Sequence, residues 1–477
     1  MNLAAAWETL LATENHWRKL DTSKKMKNSI DMLGGSILKG LVRVSLPLML
    51  SGILQLLFNA ADIIVIGRFG SNNSLAAVGA VGVIWGLCCH IFMSLGGGSA
   101  VVTGKNIGAG KKAAVSDVLH VSIALGLLLG ALLSVTAWIF MPRILFALQT
   151  PQEVFGLALR YIHYLIPGLP AIAIYNFGAG ILRAKGDTKR PLYFLIVAGI
   201  INVILNLIFV IALKMDVAGV GLATSVSQYV ATLLIIICLA REEGEFRLDF
   251  KKICLKAAVV ASILKIGVPN VIQNILFTLS NLVIQAAINS FGADVMAGNA
   301  AAGNLENFCW TAMISVEQAG VSFVSQNFGA GNFKRVKKSI WETLGVICAT
   351  GVIFGELTVL FAKPLLEIYT SNQVSIMEGV IRLRIMCGPY ILCGIMSSLA
   401  ADMRGLGHSI EPSIIVLLGA CGSRILWIFT AFQTPRFHST HWLLFTYPAS
   451  WAITGIALAF FMVKIFRQER ARFEPSE

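Results

Sequence analysis

The run SLPLMLSGILQLLFNAADIIVIGRF, residues 45–69, holds 25 residues and only two charges, Asp62 and Arg68. At about 1.5 Å per residue a helix of about 20 residues crosses a hydrocarbon core of about 30 Å. The run predicts a membrane-spanning helix, and the rest of the chain is built in the same way. Hydrophobic residues make up 56% of the 477, charged residues 13%, and the mean hydropathy is +0.76. Soluble domains carry about 25% charged residues. No alternation of apolar and polar positions suggests an outer-membrane barrel, so the spans are read as helices.

Twelve such spans are expected, near 41–67, 74–103, 118–141, 157–182, 191–213, 217–240, 262–289, 295–325, 341–362, 380–403, 413–432 and 442–463. Of the 38 Lys and Arg residues, 29 fall in the N-terminal segment, the loops on its side of the membrane and the C-terminal tail. Eight, including Arg382 and Arg384, fall on the other side, and Arg424 falls inside a span. This asymmetry places both termini in the cytoplasm and accounts for the net charge of +13 without nucleic acid. The nine cysteines form no CxxC or Cys/His spacing and read as small buried hydrophobes. Residues 1–30 carry charges throughout and lack the apolar core of a signal peptide, which leaves the first span as the insertion signal. Within them LAAAWETLLATENHW, residues 3–17, reads either as an interfacial amphipathic helix or as an upstream start-site extension.

The chain repeats itself. NIGAGKK at 106–112 matches NFGAGNF at 327–333, and LRAKGDTKRP at 182–191 matches MRGLGHSIEP at 403–412, both at an offset of 221. Pro47, Phe69 and Gly70 recur at an offset of 222 as Pro269, Phe291 and Gly292. Each copy holds six spans, an even number, so the copies enter the membrane from the same side and form parallel halves. The expected division is a cytoplasmic extension at 1–34, a first lobe at 35–240, a cytoplasmic linker at 241–261, a second lobe at 262–466 and a cytoplasmic tail at 467–477. The fold class is an all-α integral membrane protein with twelve transmembrane helices in two pseudo-symmetric six-helix bundles.

The duplication is an internal control for function. Asp62 falls on Ile284 in the other copy, so packing at that place does not require an acid. A carboxylate at mid-helix costs about 2.5 to 3.5 kcal/mol on insertion scales and usually faces a bundle interior or a wet cavity. Asn202 and Asn206 share one helical face and, with Gln55, Asn176 and Thr224, are the candidate polar patch around Asp62. Asn59 recurs as Asn281 and reads as helix-helix glue, and Asn274 and Asn281 are polar candidates of the second half. Glu306, Glu317 and Arg424 are charges of the second half whose copies are Trp85, Gly96 and Val203; a pair of Arg424 with Glu306 is expected. Glu356 and Asp402 read as solvated membrane-edge acids, and His90, His120 and His163 receive no role. The two GAG turns lack phosphate-loop spacing, and no nucleophile with a paired base or metal-ligand cluster appears, so no enzyme, metal or cofactor is expected.

The segments DMLGGSILKGLVRVSLPLMLSGILQLLFNAADIIVIGRF, GDTKRPLYFLIVAGIINVILNLIFV, LSNLVIQAAINSFG, SQNFGAG and MRGLGHSIEP together resemble a bacterial branch of the multidrug and toxic compound extrusion family. The resemblance covers roughly residues 31–467. It implies a V-shaped pair of lobes that alternates between inward- and outward-open states and exports amphipathic, often cationic compounds against protons or sodium. It also implies that Asp62 binds the coupling cation, with Na+ an option there, and that Asn176, Asn202, Asn206 and Thr224 form the first-lobe polar cluster. The chain departs from relatives that carry an aspartate where Asn206 stands, and from those with a glutamate in the seventh helix. The partners implied are small substrates and the bilayer of the bacterial plasma membrane, around a monomer. A flippase for a lipid-linked precursor and a non-transporting scaffold are the rival readings; the first needs a basic central cavity and the second a large partner-binding segment.

The charge asymmetry is testable. A cysteine replacing Ser439 should react with an impermeant reagent in intact cells while one replacing Gly244 is protected; the opposite pattern would invert the topology.

Overall fold

A computed structural model describes residues 29–473. The amphipathic segment expected at 3–17, and most of the extension expected at 1–34, lie outside the described residues. Twelve helical spans follow one another: α1 Ile37–Phe69, α2 Asn72–Gly108, α3 Lys112–Ala147, α4 Gln152–Lys185, α5 Lys189–Ala212, α6 Val217–Ala240, α7 Ala257–Asn289, α8 Ala293–Gly329, α9 Phe333–Leu360, α10 in two pieces, Gln373–Cys387 and Tyr390–Gly405, α11 Ile410–Gln433 and α12 Thr440–Phe473. Ten are individually long and apolar enough to cross a membrane, and the pieces of α10, bent by 46° around Gly388 and Pro389, make an eleventh. The remaining one, α8, has 37 residues but carries Asp294, Glu306 and Glu317, which dilute its apolar character. Most spans overrun the expected ones at one or both ends, while α6 matches 217–240 and α5 and α9 stop one and two residues short at their C-terminal ends. α7 starts at Ala257, inside the segment read as linker, and α12 runs on to Phe473, inside the segment read as tail.

The duplication is visible in the backbone. α2 and α8 have equal lengths and begin and end 221 residues apart. Each ends in a glycine turn, with Gly110 and Gly331 both at φ 67°, and the turns after α4 and α10 place Gly186 at φ 92° and Gly407 at φ 93°. This left-handed region excludes a Cβ at little cost only for glycine, which explains the GAG and KG/LG motifs as helix stops. Pro47 and Pro269 sit inside α1 and α7 at matching places. A π-helical turn interrupts both α5 and α11, but at different depths: Leu207–Ala212 directly after Asn206, and Leu417–Gly422 just before Arg424.

Each half has its own apolar core, the larger one in the second half around Met313, Tyr390, Leu399 and Trp451. The halves meet through α1 and α2 of the first and α7 and α8 of the second. Their hydrogen bonds lie between mid-helix and the end that carries the glycine turns and most basic residues, called here the basic end. There the backbones touch. A Cβ on Gly108 would lie 1.9 Å from the carbonyl oxygen of Gln326, and one on Gly329 would lie 2.0 Å from that of Lys105. Two related hydrogen bonds flank this contact: Lys105 Nζ donates to the Leu406 carbonyl at 3.2 Å, and Gln326 Nε2 to the Ala184 carbonyl at 2.5 Å. Lys105 and Gln326 are themselves copies at an offset of 221.

The short segment before α1 straps the two halves together at this end. Ile30 N donates to the Gly186 carbonyl at 3.2 Å, while Arg335 and Asn327 of the second half donate to the Met32 carbonyl at 3.1 and 3.0 Å. The linker is also pinned. Lys185 Nζ lies 2.6 Å from Glu242, and Arg190 pairs with both Glu242 and Asp187. Burial pushes the Glu242 carboxyl up, but the Lys185 hydrogen bond and the Arg190 charge outweigh it and hold the group below its ordinary value. His120, to which the sequence assigns no role, accepts a hydrogen bond from Asp249 N at 2.9 Å and so fixes the linker to α3.

If the glycine contact is what lets the basic end close, Gly108→Val should hold the halves apart there. Spin labels on the exposed residues Lys111 and Asn332 should then report a longer distance than in the parent protein; an unchanged distribution would show that closure does not depend on this contact.

Candidate functional site

In α1, Asp62 is 8% exposed although the chain around it is lipid-spanning. Its side chain turns toward α5 and α6. Asn206 Nδ2 donates to Oδ1 at 2.5 Å, and Thr224 Oγ1 donates to Oδ2 at 3.3 Å. A second layer holds these donors: Asn206 Nδ2 also reaches Asn202 Oδ1, and Asn202 Nδ2 donates to Thr224 Oγ1, each at 3.3 Å. Four of the expected residues, Asp62, Asn202, Asn206 and Thr224, are therefore one closed network. Its shape follows from helical spacing, since Asn202 and Asn206 are one turn apart on α5. The π turn starts immediately after Asn206, a local rewinding frequent at functional sites. Asn206 Oδ1 is buried with no hydrogen-bond partner.

The other first-half candidates lie outside this network. Asn176 Nδ2 bonds the Ile172 carbonyl of its own helix at 2.9 Å, and its backbone packs against Gly96. Gln55 and Asn59 are exposed on α1. In the second half the equivalent of Asp62, Ile284, is fully buried in the apolar core. The same fold position thus holds an acid in one lobe and core packing in the other.

The charges of the second half pair differently from expectation. Glu306 binds Arg382, at 2.9 Å, and not Arg424. The charge count places Arg382 outside the spans although it stands at the start of the expected 380–403 run; it lies in α10 at 13% exposure and also donates to Asn299 at 3.1 Å. The reason is that α10 begins at Gln373, seven residues before the apolar run, so that Arg382 enters the bundle with it. Arg424 is fully buried and, among the described residues, forms no ion pair. Its Nε donates to Ser450 at 2.9 Å and its guanidinium lies 4.1 Å from the centre of the Tyr447 ring, with Phe277 and Trp451 also around it. Cation-π contact in a desolvated place is worth about 2 kcal/mol or more. Asn281 accepts from Tyr447 Oη at 3.3 Å and so steadies this aromatic box. Asp402 corrects a second expectation: it is fully buried rather than solvated, close to the Glu317–Arg404 pair, because the last turn of α10 is tucked into the bundle. Glu356 is exposed.

Between the halves lies a cavity of about 160 Å³. Its walls include Ser94 and Gly97 of α2, Arg183 of α4, Asn270, Gln273, Asn274 and Phe277 of α7, Trp310 and Glu317 of α8, and Arg404 of α10. Asn274 Nδ2 donates to Ser94 Oγ at 2.9 Å, one hydrogen bond from lobe to lobe. Glu317 Oε1 takes Arg404 Nη2 at 3.0 Å. The cavity combines apolar walls with a few convergent polar groups, the usual composition of a small-molecule site. Sequence reasoning missed Arg183, Arg382 and Arg404; the matching LRAKG and MRGLG motifs already carried two of them at equivalent places.

The family model MatE matches this chain twice, over residues 47–208 and 269–430, two stretches of equal length 222 residues apart. The chain is 24% identical over 419 residues to "Probable multidrug resistance protein YoeA" of Bacillus subtilis (strain 168), a match covering 86% of this chain and 89% of that protein. It is 26% identical over 357 residues to the "FAD transporter" of Shewanella oneidensis, covering 73% and 77%. A solved structure of MATE in the bent conformation superposes with a TM-score of 0.85 at 20% identity, over 94% of this chain and 100% of the other.

The revised pairing can be checked by thermal melting of the purified protein. Arg382→Met leaves Glu306 without its cation and should lower stability by about 3 to 5 kcal/mol, with Glu306→Gln restoring part of it. Glu306→Gln should give no such rescue of Arg424→Met. Rescue of the second variant and not the first would restore the pairing the sequence suggested.

Proposed function

The chain belongs to the MatE family, and from that premise we propose that it is a secondary active antiporter that exports amphipathic or cationic compounds in exchange for protons or sodium ions. The observation that carries the reading is the Asp62 network: one buried acid, braced by amide and hydroxyl groups from two other helices, at a place where the fold accepts isoleucine. One charge crossing 100 mV carries about 2.3 kcal/mol, and at about 1.4 kcal/mol per factor of ten this sustains a gradient of roughly fifty-fold. A single acid is enough to energise export. Sodium asks for several oxygen ligands, and Asp62, Asn206 Oδ1 and Thr224 Oγ1 are the groups that would offer them; a proton needs only the carboxylate.

Asp62 is about six residues inside Arg68, roughly 9 Å from the end of α1 opposite the basic end. With the basic end in the cytoplasm of a bacterial cell, as the Lys and Arg asymmetry favours, the acid would face the external ion supply while the cytoplasmic contact is closed. The transporter would work as a monomer, each copy holding both lobes. The names of the relatives range from multidrug resistance to FAD transport, so cargo is a matter for this chain's own cavity.

Asp62→Asn keeps the size and most hydrogen bonds and removes the titrating charge. The variant should reach the membrane at the normal level and lose gradient-driven efflux of cationic dyes from everted vesicles, with proton and sodium gradients imposed separately. Efflux at the parental rate, with the same gradient dependence, would make Asp62 a packing residue and end this mechanism.

A further inference from the structure

Arg183 and Arg404 are copies of each other, at an offset of 221, in the last turns of α4 and α10. Both line the cavity between the halves. Arg404 has an acid, Glu317, at 3.0 Å. Arg183 has none. The copy of Glu317 in the first half is Gly96, where a Cβ would lie 2.6 Å from the Asn176 carbonyl oxygen, so a glutamate cannot stand there. Among the described residues Arg183 makes no ion pair. Arg183 does lie near a helix C-terminus, where the macrodipole favours a cation. A dipole end does not occupy the guanidinium's donors, which stay open to an anion at the half-buried wall of the cavity.

On the opposite wall the side-chain oxygen of Gln273 is buried without a partner, and Phe277 and Trp310 supply apolar surface. The volume of about 160 Å³ is below the roughly 300 to 1,000 Å³ of sites that enclose a whole drug-sized ligand. It admits an ionic head while the body of the molecule stays in the cleft. We propose that this cavity selects amphipathic cargo by an anionic group, a carboxylate or another oxyanion, seated on Arg183. Guanidinium binds carboxylate in a two-pronged fashion that an ester cannot match. Zwitterions are therefore better cargo than purely cationic compounds of the same shape, with the unpartnered side-chain oxygen of Gln273 available to the amine. This rests on the exporter reading and narrows it from cations in general to molecules that bring their own anion.

The test uses the full chain in lipid nanodiscs and two xanthene dyes that share one ring system, one with a free carboxylate and one its methyl ester, titrated by fluorescence polarisation. The carboxylate should bind about tenfold more tightly or better, the yield of one charge-assisted contact. In Arg183→Gln that ratio should fall toward one, and in Arg183→Lys it should be only partly kept. Equal affinities for the parent protein overturn the proposal without needing any variant, and so does a ratio that survives in Arg183→Gln. Proteoliposomes loaded with the ester separate the two readings. Gradient-driven export of an ester that binds as well as the acid sinks only the anion site, whereas binding of the acid on Arg183 with no gradient-driven export of either dye sinks the antiporter.

Discussion

A charge placed in hydrocarbon must be neutralised, hydrogen-bonded or brought to water, and that one constraint organises the polar interior of this protein. The buried charges meet it in different ways, Asp402 excepted, whose two carboxylate oxygens have no hydrogen-bond partner among the described residues. Asp62 is surrounded by amides and a hydroxyl. Glu306 and Glu317 take arginines from α10. Arg424 settles for one serine and an aromatic box. These solutions differ in what they permit. An ion pair between two fixed helices holds its geometry, and removing one member strands the other. A carboxylate held by neutral donors can change its charge without leaving a counter-ion behind, which suits an acid proposed to load and unload a cation.

The same constraint interacts with the duplication. Two copies of one six-helix unit share their turns, their glycines and their mid-helix prolines, and they meet where α2 and α8 come close enough for backbone to touch backbone. Close approach there depends on glycine, since any side chain at Gly108 or Gly329 would occupy the partner's carbonyl. What the copies do not share is charge. Asp62 is opposed by Ile284, Glu317 by Gly96, Arg424 by Val203. In the proposed function, a symmetric scaffold carrying asymmetric charges would use one lobe for the ion and the seam for cargo.

The twelve spans, the repeat and the Asp62–Asn202–Asn206–Thr224 group were legible because each depends on local chemistry: long apolar runs, left-handed glycine turns, and polar residues spaced by one helical turn. The second-half pairings were not. Whether Glu306 meets Arg382 or Arg424 depends on the entry point of α10 into the bundle and on the bend around Gly388 and Pro389, neither of which hydropathy specifies. Asn176 lies at the expected depth but its amide bonds its own helix, because Gly96 lets α2 pack directly on the α4 backbone. The buried state of Asp402 was hidden for a related reason: proximity to a span end in sequence says nothing about which side of the helix faces water.

The strap before α1 couples these features. Met32 is held by Asn327 and Arg335 of the second half while Ile30 is held by Gly186, one turn beyond Arg183. Gly186 and Gln326 thus bind the same stretch of chain end that positions the proposed anion seat, Gln326 through the Ala184 carbonyl. Separation of the halves at the basic end would break the Gln326 and Lys105 contacts together and draw α8, with Glu317, away from α4. Arg183 would then face cytoplasmic water and the cargo dissolved in it. In the proposed export cycle, opening at that end would load the seat, the cargo's anionic group taking the place of water at Arg183, and closure would carry the pair away from the cytoplasm.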